Sequence, residues 1–340
     1  MTLRFSLHVA TLSKDVIAKE DNSLGRRGTI SVFVYAALLI ALWFGFRTSQ
    51  LGIALGAGFP RAFASFALLL APLWFFGFGL AEPLKRLAEL LHLALPAFLS
   101  LSYFVFAVGT PLFSARAAII VIAFPVLVTA FLQQSGSTNK LTWRDGAALA
   151  LIAATYYLKW LESAWPPELA VLPKLFLADV ALYCFLLVRC LDGAGYSLIP
   201  TASATLTGLR EFGFFFPIAI ILGELTRFIH FHRAIPSASH VAAAILLTFL
   251  LIAIPEELFF RAVVQNLLET RLGKTAALIV AAALFGLSHF NHGSAFNWRY
   301  VLLATVAGIF YGRAWRAERQ IFASIVTHNA VDVVWSLWFR

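Results

Sequence analysis

The sequence predicts an all-α fold, a polytopic transmembrane helical bundle of about 10–11 helices with its candidate chemistry near the C-terminus. Three observations carry that prediction. Hydrophobic residues make up 61% of the chain and charged residues only 13%, against about 25% charged in ordinary soluble domains. Apolar runs approaching or reaching the roughly 17–25 residues that span a bilayer recur from end to end. No run alternates with period 2, so the pattern of an outer-membrane barrel is missing.

Residues 1–27 read as a short cytosolic tail. Lys14, Asp15, Lys19, Glu20 and Asp21 interrupt any apolar core that a secretory signal would need. The spans then follow as Thr29–Phe46, Ala62–Leu80, Leu90–Thr110, Ala117–Leu132, Ala147–Trp160, Leu175–Cys190, Phe212–Ile229, His240–Leu268, Thr275–Phe290, Trp298–Gly312 and Ile321–Phe339. Their connections are short. The most polar are Gln133–Gly146 and Leu161–Lys174, the second broken by Pro166–Pro167.

The formal charge of +9 does not point to nucleic acid, because Lys and Arg are scattered over nearly every loop and form no basic face. Their distribution serves topology, and Arg4, Lys14, Lys19, Arg26 and Arg27 place the N-terminus on the inner side. Cys184 and Cys190 fall in one span, which excludes a disulfide framework and a cysteine zinc site. The ionisable residues divide the chain into an N-terminal transmembrane module, 28–195, and a module carrying the chemistry, 196–340. No soluble linker separates the two.

Glu256 and Glu257 interrupt the apolar stretch Leu246–Leu268, with Arg261 four residues after the second acid. A charge at the middle of a membrane helix is disfavoured by ~3 kcal/mol, and each Leu, Ile or Phe returns only ~0.5. Three charges so close together therefore need partners or a function. Glu257 and Arg261 share a helical face at i, i+4 and neutralise each other. Glu256 points about 100° away and needs a different partner. His289 lies near the end of the next span, four residues after Phe285, and His328 lies in the last, with Asp332 one turn on. Glu256 precedes Gly273 by 17 residues and His289 follows it by 16. A helical turn at Gly273 would thus bring both to one depth, ~25 Å from the turn at 1.5 Å per residue.

EELFFR at 256–261, FGLSH at 285–289 and HNAVD at 328–332 resemble, in order and spacing, the EExxxR, FxxxH and HxxxN/D signatures of the CAAX prenyl endopeptidase and bacteriocin-processing (CPBP, or Abi) family of intramembrane proteases. The similarity covers roughly residues 200–340, so the C-terminal core is expected to be CPBP-like. The resemblance implies hydrolysis of a peptide bond in a membrane-embedded protein or peptide. It makes Glu256 the base that activates water, Glu257 and Arg261 its supporting pair, His289 the holder of that water or of a metal, and His328 the completion of the site. Asp332 stands where many members have Asn. An ionised carboxylate cannot donate to an oxyanion, so orienting His328 or acting as a further ligand suits it better. Asn329 faces elsewhere on the helix.

Two histidines, His289 and His328, with one or two glutamates can complete a zinc site with an open position for water. Glutamate and histidine can equally activate water with no metal, and the HExxH motif that would decide for zinc is missing. The serine and aspartyl motifs of other intramembrane proteases are missing too. A transporter using the buried Glu, Arg and His as a proton relay is the main alternative. A haem or quinone protein using His289, His292 and His328 as ligands leaves EExxxR without a role. The expected surroundings are the lipid bilayer and a bacterial inner membrane.

Overall fold

The computed structural model describes the backbone of residues 3–135, 140–233, 235–290 and 296–339, with side chains from Leu24 onward. Every apolar run of the sequence lies in a helix. α1 (Leu3–Arg47) runs unbroken from the polar tail into the first span, whose apolar part begins at Leu24. Next come α2 (Gln50–Gly77), α3 (Glu89–Ala107), α4 (Ala115–Gln133), α5 (Trp143–Tyr157), α6 (Val171–Val188) and α7 (Ala202–Leu225). A 50-residue stretch, Ala238–Leu287, is broken at Gly273 into α8 (238–272) and α9 (274–287). α10 (Trp298–Glu318) and α11 (Ile321–Trp338) close the bundle.

Eight segments among the described residues are long and apolar enough to cross a membrane, fewer than the 10–11 expected. The difference has identifiable causes. α8 and α9 count as one segment. At 15 residues α5 is short, and α10 carries Arg313, Arg316 and Glu318 in its last turns. The chain is a multi-pass integral membrane protein.

Local chemistry sets where the site-bearing helices begin and turn. The hydroxyls of Thr142, Thr201 and Ser237 accept from backbone N–H groups at the starts of α5, α7 and α8, satisfying donors that a helix leaves open. In α8, Pro255 lacks the N–H that would bond one turn back. The helix accommodates it by widening into π turns on both sides, at Phe249–Ala253 and Leu258–Gln265. Such widenings concentrate at functional sites, and here they flank the two glutamates.

Gly273 adopts φ 74°, ψ 169°, a conformation essentially restricted to glycine. It reverses the chain into an antiparallel hairpin. Phe260 and Phe285, nearly equidistant from that turn, meet edge to face with ring centroids 5.1 Å apart. The α10–α11 hairpin turns at Arg319, and it brings Tyr311 onto His328 in a stack at 4.5 Å. α7 packs tightly on α11: Thr327 Oγ1 donates to the Gly208 carbonyl at 3.0 Å, and a Cβ at Gly208 would lie 2.6 Å from the Ala323 carbonyl.

One apolar cluster runs through most of the molecule. It joins Leu69 and Leu73 of α2, Val121 of α4, Leu172 and Phe176 of α6, Leu250, Ile254 and Leu258 of α8, and Ile325 of α11. Burial on this scale, at ~25 cal/mol per Å² in contact with other protein rather than lipid, describes shape matching more than a hydrophobic drive, because lipid tails are as apolar as leucine. A buried pair, Arg189 Nε to Asp145 Oδ1 at 3.0 Å, fastens the end of α6 to the start of α5.

Candidate active site

Glu257 lies wholly buried at the centre of the C-terminal helices. Its Oε2 accepts from Arg261 Nε at 2.9 Å, the i, i+4 pair expected from the sequence, and from the Ser324 hydroxyl. Its Oε1 meets His328 Nδ1 at 2.8 Å. Arg261 is equally buried, and its guanidinium lies over the rings of Phe285 at 4.9 Å and Tyr311 at 5.6 Å. Those ring faces, negative at their centres, offset part of the cost of burying the cation. Phe285 therefore has a structural job: its ring lies under Arg261 and against His289 and His328.

Glu256 points away from that pair, as the 100° step requires, and one of its oxygens has a partner that the sequence reading missed. Lys174 Nζ, on α6, lies 2.5 Å from Glu256 Oε1. The other oxygen, Oε2, is buried with no hydrogen-bond partner among the described side chains. It lies 3.8 Å from His328 Nε2. Asp332 Oδ2 approaches the same Nε2 at 3.4 Å, so the last helix turns His328 between three carboxylates. Asn329 does not line this region, in keeping with its position on the helix.

His289 stands at the end of α9. Its Nδ1 is 2.8 Å from the Phe285 carbonyl, which requires an N–H at that position, and its ring lies 4.8 Å from that of Tyr300. In the neutral ring the accepting nitrogen is then Nε2. Glu256, His289, His328 and Asp332 all line one cavity of about 1000 Å³, whose walls are otherwise largely apolar. α5 and α6 contribute to it through Tyr157, Lys174, Leu177 and Ala178. The Tyr157 hydroxyl donates to the Ser288 carbonyl at 2.9 Å, next to His289.

Glu224, His230, His232 and His240 are exposed and do not line the cavity. His292, needed for the haem reading, lies outside the described residues.

Among the described residues no three His, Cys, Asp or Glu side chains are grouped to hold a metal ion. The ammonium of Lys174 on one Glu256 oxygen would repel a dication at the other, so Glu256 as arranged does not fit as a zinc ligand.

The fold and the site together define a multi-pass membrane protein with a carboxylate–imidazole cluster opening on an intramembrane cavity. Residues 238–334 match the family model described as type II CAAX prenyl endopeptidase Rce1-like, so the C-terminal part of the chain is similar to that family. That match contains Glu256, Glu257, Arg261, Phe285, His289, His328 and Asp332, and it leaves Lys174 outside. No curated protein and no solved structure matches the chain.

Proposed function

We propose that the protein is an intramembrane endopeptidase that hydrolyses a peptide bond in a membrane-associated protein or peptide, with Glu256 as general base. The observation that carries this reading is Glu256 Oε2, a buried carboxylate oxygen without a hydrogen-bond partner among the described residues, on the wall of an apolar cavity and 3.8 Å from His328 Nε2. A water ~2.8 Å from both atoms satisfies each of them. As its oxygen attacks the scissile carbonyl carbon, its proton passes to Glu256. His328 Nε2 donates to the developing oxyanion, and Glu256 then returns the proton to the leaving amine. One C–N bond is broken and one C–O bond is formed. Glu257 fixes the His328 ring through Nδ1, and His289 Nε2 accepts the second hydrogen of the water. Asp332, 3.4 Å from the same Nε2, orients His328 from the cavity side.

The match to an endopeptidase family favours this chemistry over a proton relay for transport. The roles of the individual residues rest on the geometry and on the resemblance of the three motifs. Prenylated protein tails, bacteriocin precursors and other membrane peptides all suit an apolar cavity of this size, and we place the protein in a bacterial inner membrane.

The test is Glu256→Gln, which keeps the side-chain shape and removes the proton acceptor. Peptides captured by that variant in native membranes serve as substrates for the wild type. Cleavage by the variant falls by about 10²–10⁴-fold, the usual contribution of a general base, with capture retained. The wild type keeps its rate after chelator treatment. Wild-type cleavage by Glu256→Gln would remove Glu256 from the mechanism, and loss on chelation with recovery on adding zinc would restore a metal to it.

A further inference from the structure

We propose that Lys174 is a positioning residue of the active site, and that α6, a helix outside the Rce1-like match, is thereby part of the catalytic apparatus. The inference rests on Glu256 being the base. Its ground is a single contact between distant parts of the chain: Lys174 Nζ to Glu256 Oε1 at 2.5 Å, with both side chains mostly buried.

The placement of the lysine is unfavourable by every local criterion. It sits in the first turn of α6, where the positive end of the helix dipole opposes a cation. Around it the sequence, VLPKLFLADVA, is apolar except for Asp179, in a segment long and apolar enough to cross a membrane. A lysine at such a position requires a specific anion, and among the described residues Glu256 is the one that pairs with it. The reverse also holds, because the other acid of the pair has its own cation in Arg261.

The consequence for the site is geometric as well as electrostatic. By engaging Oε1, Lys174 fixes the carboxylate rotation, so that Oε2 is the oxygen presented to the cavity and to His328. It also keeps a negative charge on Glu256 compatible with apolar surroundings, which the base needs before it can accept a proton. Two further contacts make α5 and α6 a wall of the site and not a mere neighbour: Tyr157 holds the Ser288 carbonyl beside His289, and Leu177 and Ala178 line the cavity.

The experiment uses full-length protein reconstituted in vesicles and the peptides captured by Glu256→Gln. Lys174→Met lowers kcat by about 10–100-fold, as loss of a partner that orients a catalytic group commonly does, with KM changed by less than about threefold. Lys174→Arg recovers most of the rate, because a guanidinium reaches the same oxygen. A purely structural lysine would instead lower folded yield with no selective effect on kcat. Should Lys174→Met fold poorly, the double variant Lys174→Met/Glu256→Gln decides, since it removes both charges of the buried pair: recovered yield supports the pairing, and yield as poor as that of Lys174→Met overturns it. Wild-type kcat in Lys174→Met, alongside an inactive Glu256→Gln, overturns the role of Lys174 and leaves the base in place. An active Glu256→Gln removes the reading on which the inference rests.

Discussion

Arg261 shows how much of this site is built to make charge tolerable. Its Nε is spent on Glu257, and its two terminal nitrogens find no hydrogen-bond partner among the described residues, lying between the faces of Phe285 and Tyr311. Removing it strands Glu257, and with it the Nδ1 anchor of His328. Arg261→Ala is expected to cost about 3–5 kcal/mol, the usual penalty for breaking a buried pair from one side, seen as lower folded yield together with lost cleavage. Full yield and full activity would show that Glu257 has another source of neutralisation. The cluster of Glu256, Glu257 and Arg261 was legible in the sequence because each charge interrupts an apolar run. Lys174 obeys the same rule but escaped it. It falls at the junction between the Pro166–Pro167 connection and the span, where a lysine reads as a loop residue, and only the start of α6 at Val171 shows it to be inside the helix.

Two hairpins assemble the site, and both depend on turns whose chemistry is local. In the α8–α9 hairpin the equal arm lengths measured from Gly273 were readable in advance, and Phe260 against Phe285 displays the resulting register. Replacing Gly273 with valine puts a β-branched side chain at φ 74°, ψ 169°, where strain of about 1–3 kcal/mol is expected. The predicted outcome is a lower melting temperature for the purified protein, with residual activity falling as Glu256 and His289 lose their shared level. An unchanged melting temperature would mean that the turn relaxes without cost. The second hairpin was harder to read. Its arms meet with Tyr311 on His328 because Arg319 takes a left-handed conformation that nothing in RAERQIF announces. The π turns around Pro255 were equally hidden, since proline signals a distortion but not how neighbouring turns absorb it.

At the scale of the molecule, the three motifs gave away the C-terminal helices and said nothing of α1–α6. The structure supplies a reason for the first helices to be there. α6 packs Leu172 and Phe176 into the same apolar cluster as Leu250, Ile254 and Leu258 of α8, and it sends Lys174 to Glu256. A motif search sees residues close in sequence on one helix, whereas this contact joins positions 174 and 256 and depends on packing between α6 and α8. Residues 28–195 and 196–340 are accordingly expected to work as one unit. Residues 196–340 produced alone still contain every motif residue, but they lack the cation on Glu256 and the wall formed by Tyr157, Leu177 and Ala178. Such a fragment should insert into the membrane through its own apolar helices and cleave at least about tenfold more slowly than the full chain, as loss of an orienting partner alone would cause. Co-expression of residues 1–195 as a separate chain should restore part of the rate, because the missing contacts are packing contacts between helices and need no covalent link. The measurement is cleavage of a captured peptide in vesicles containing the fragment, the pair or the whole protein. A fragment as active as the whole would show that α6 merely neighbours the site, and the role of the first helices would then have to be sought in substrate delivery.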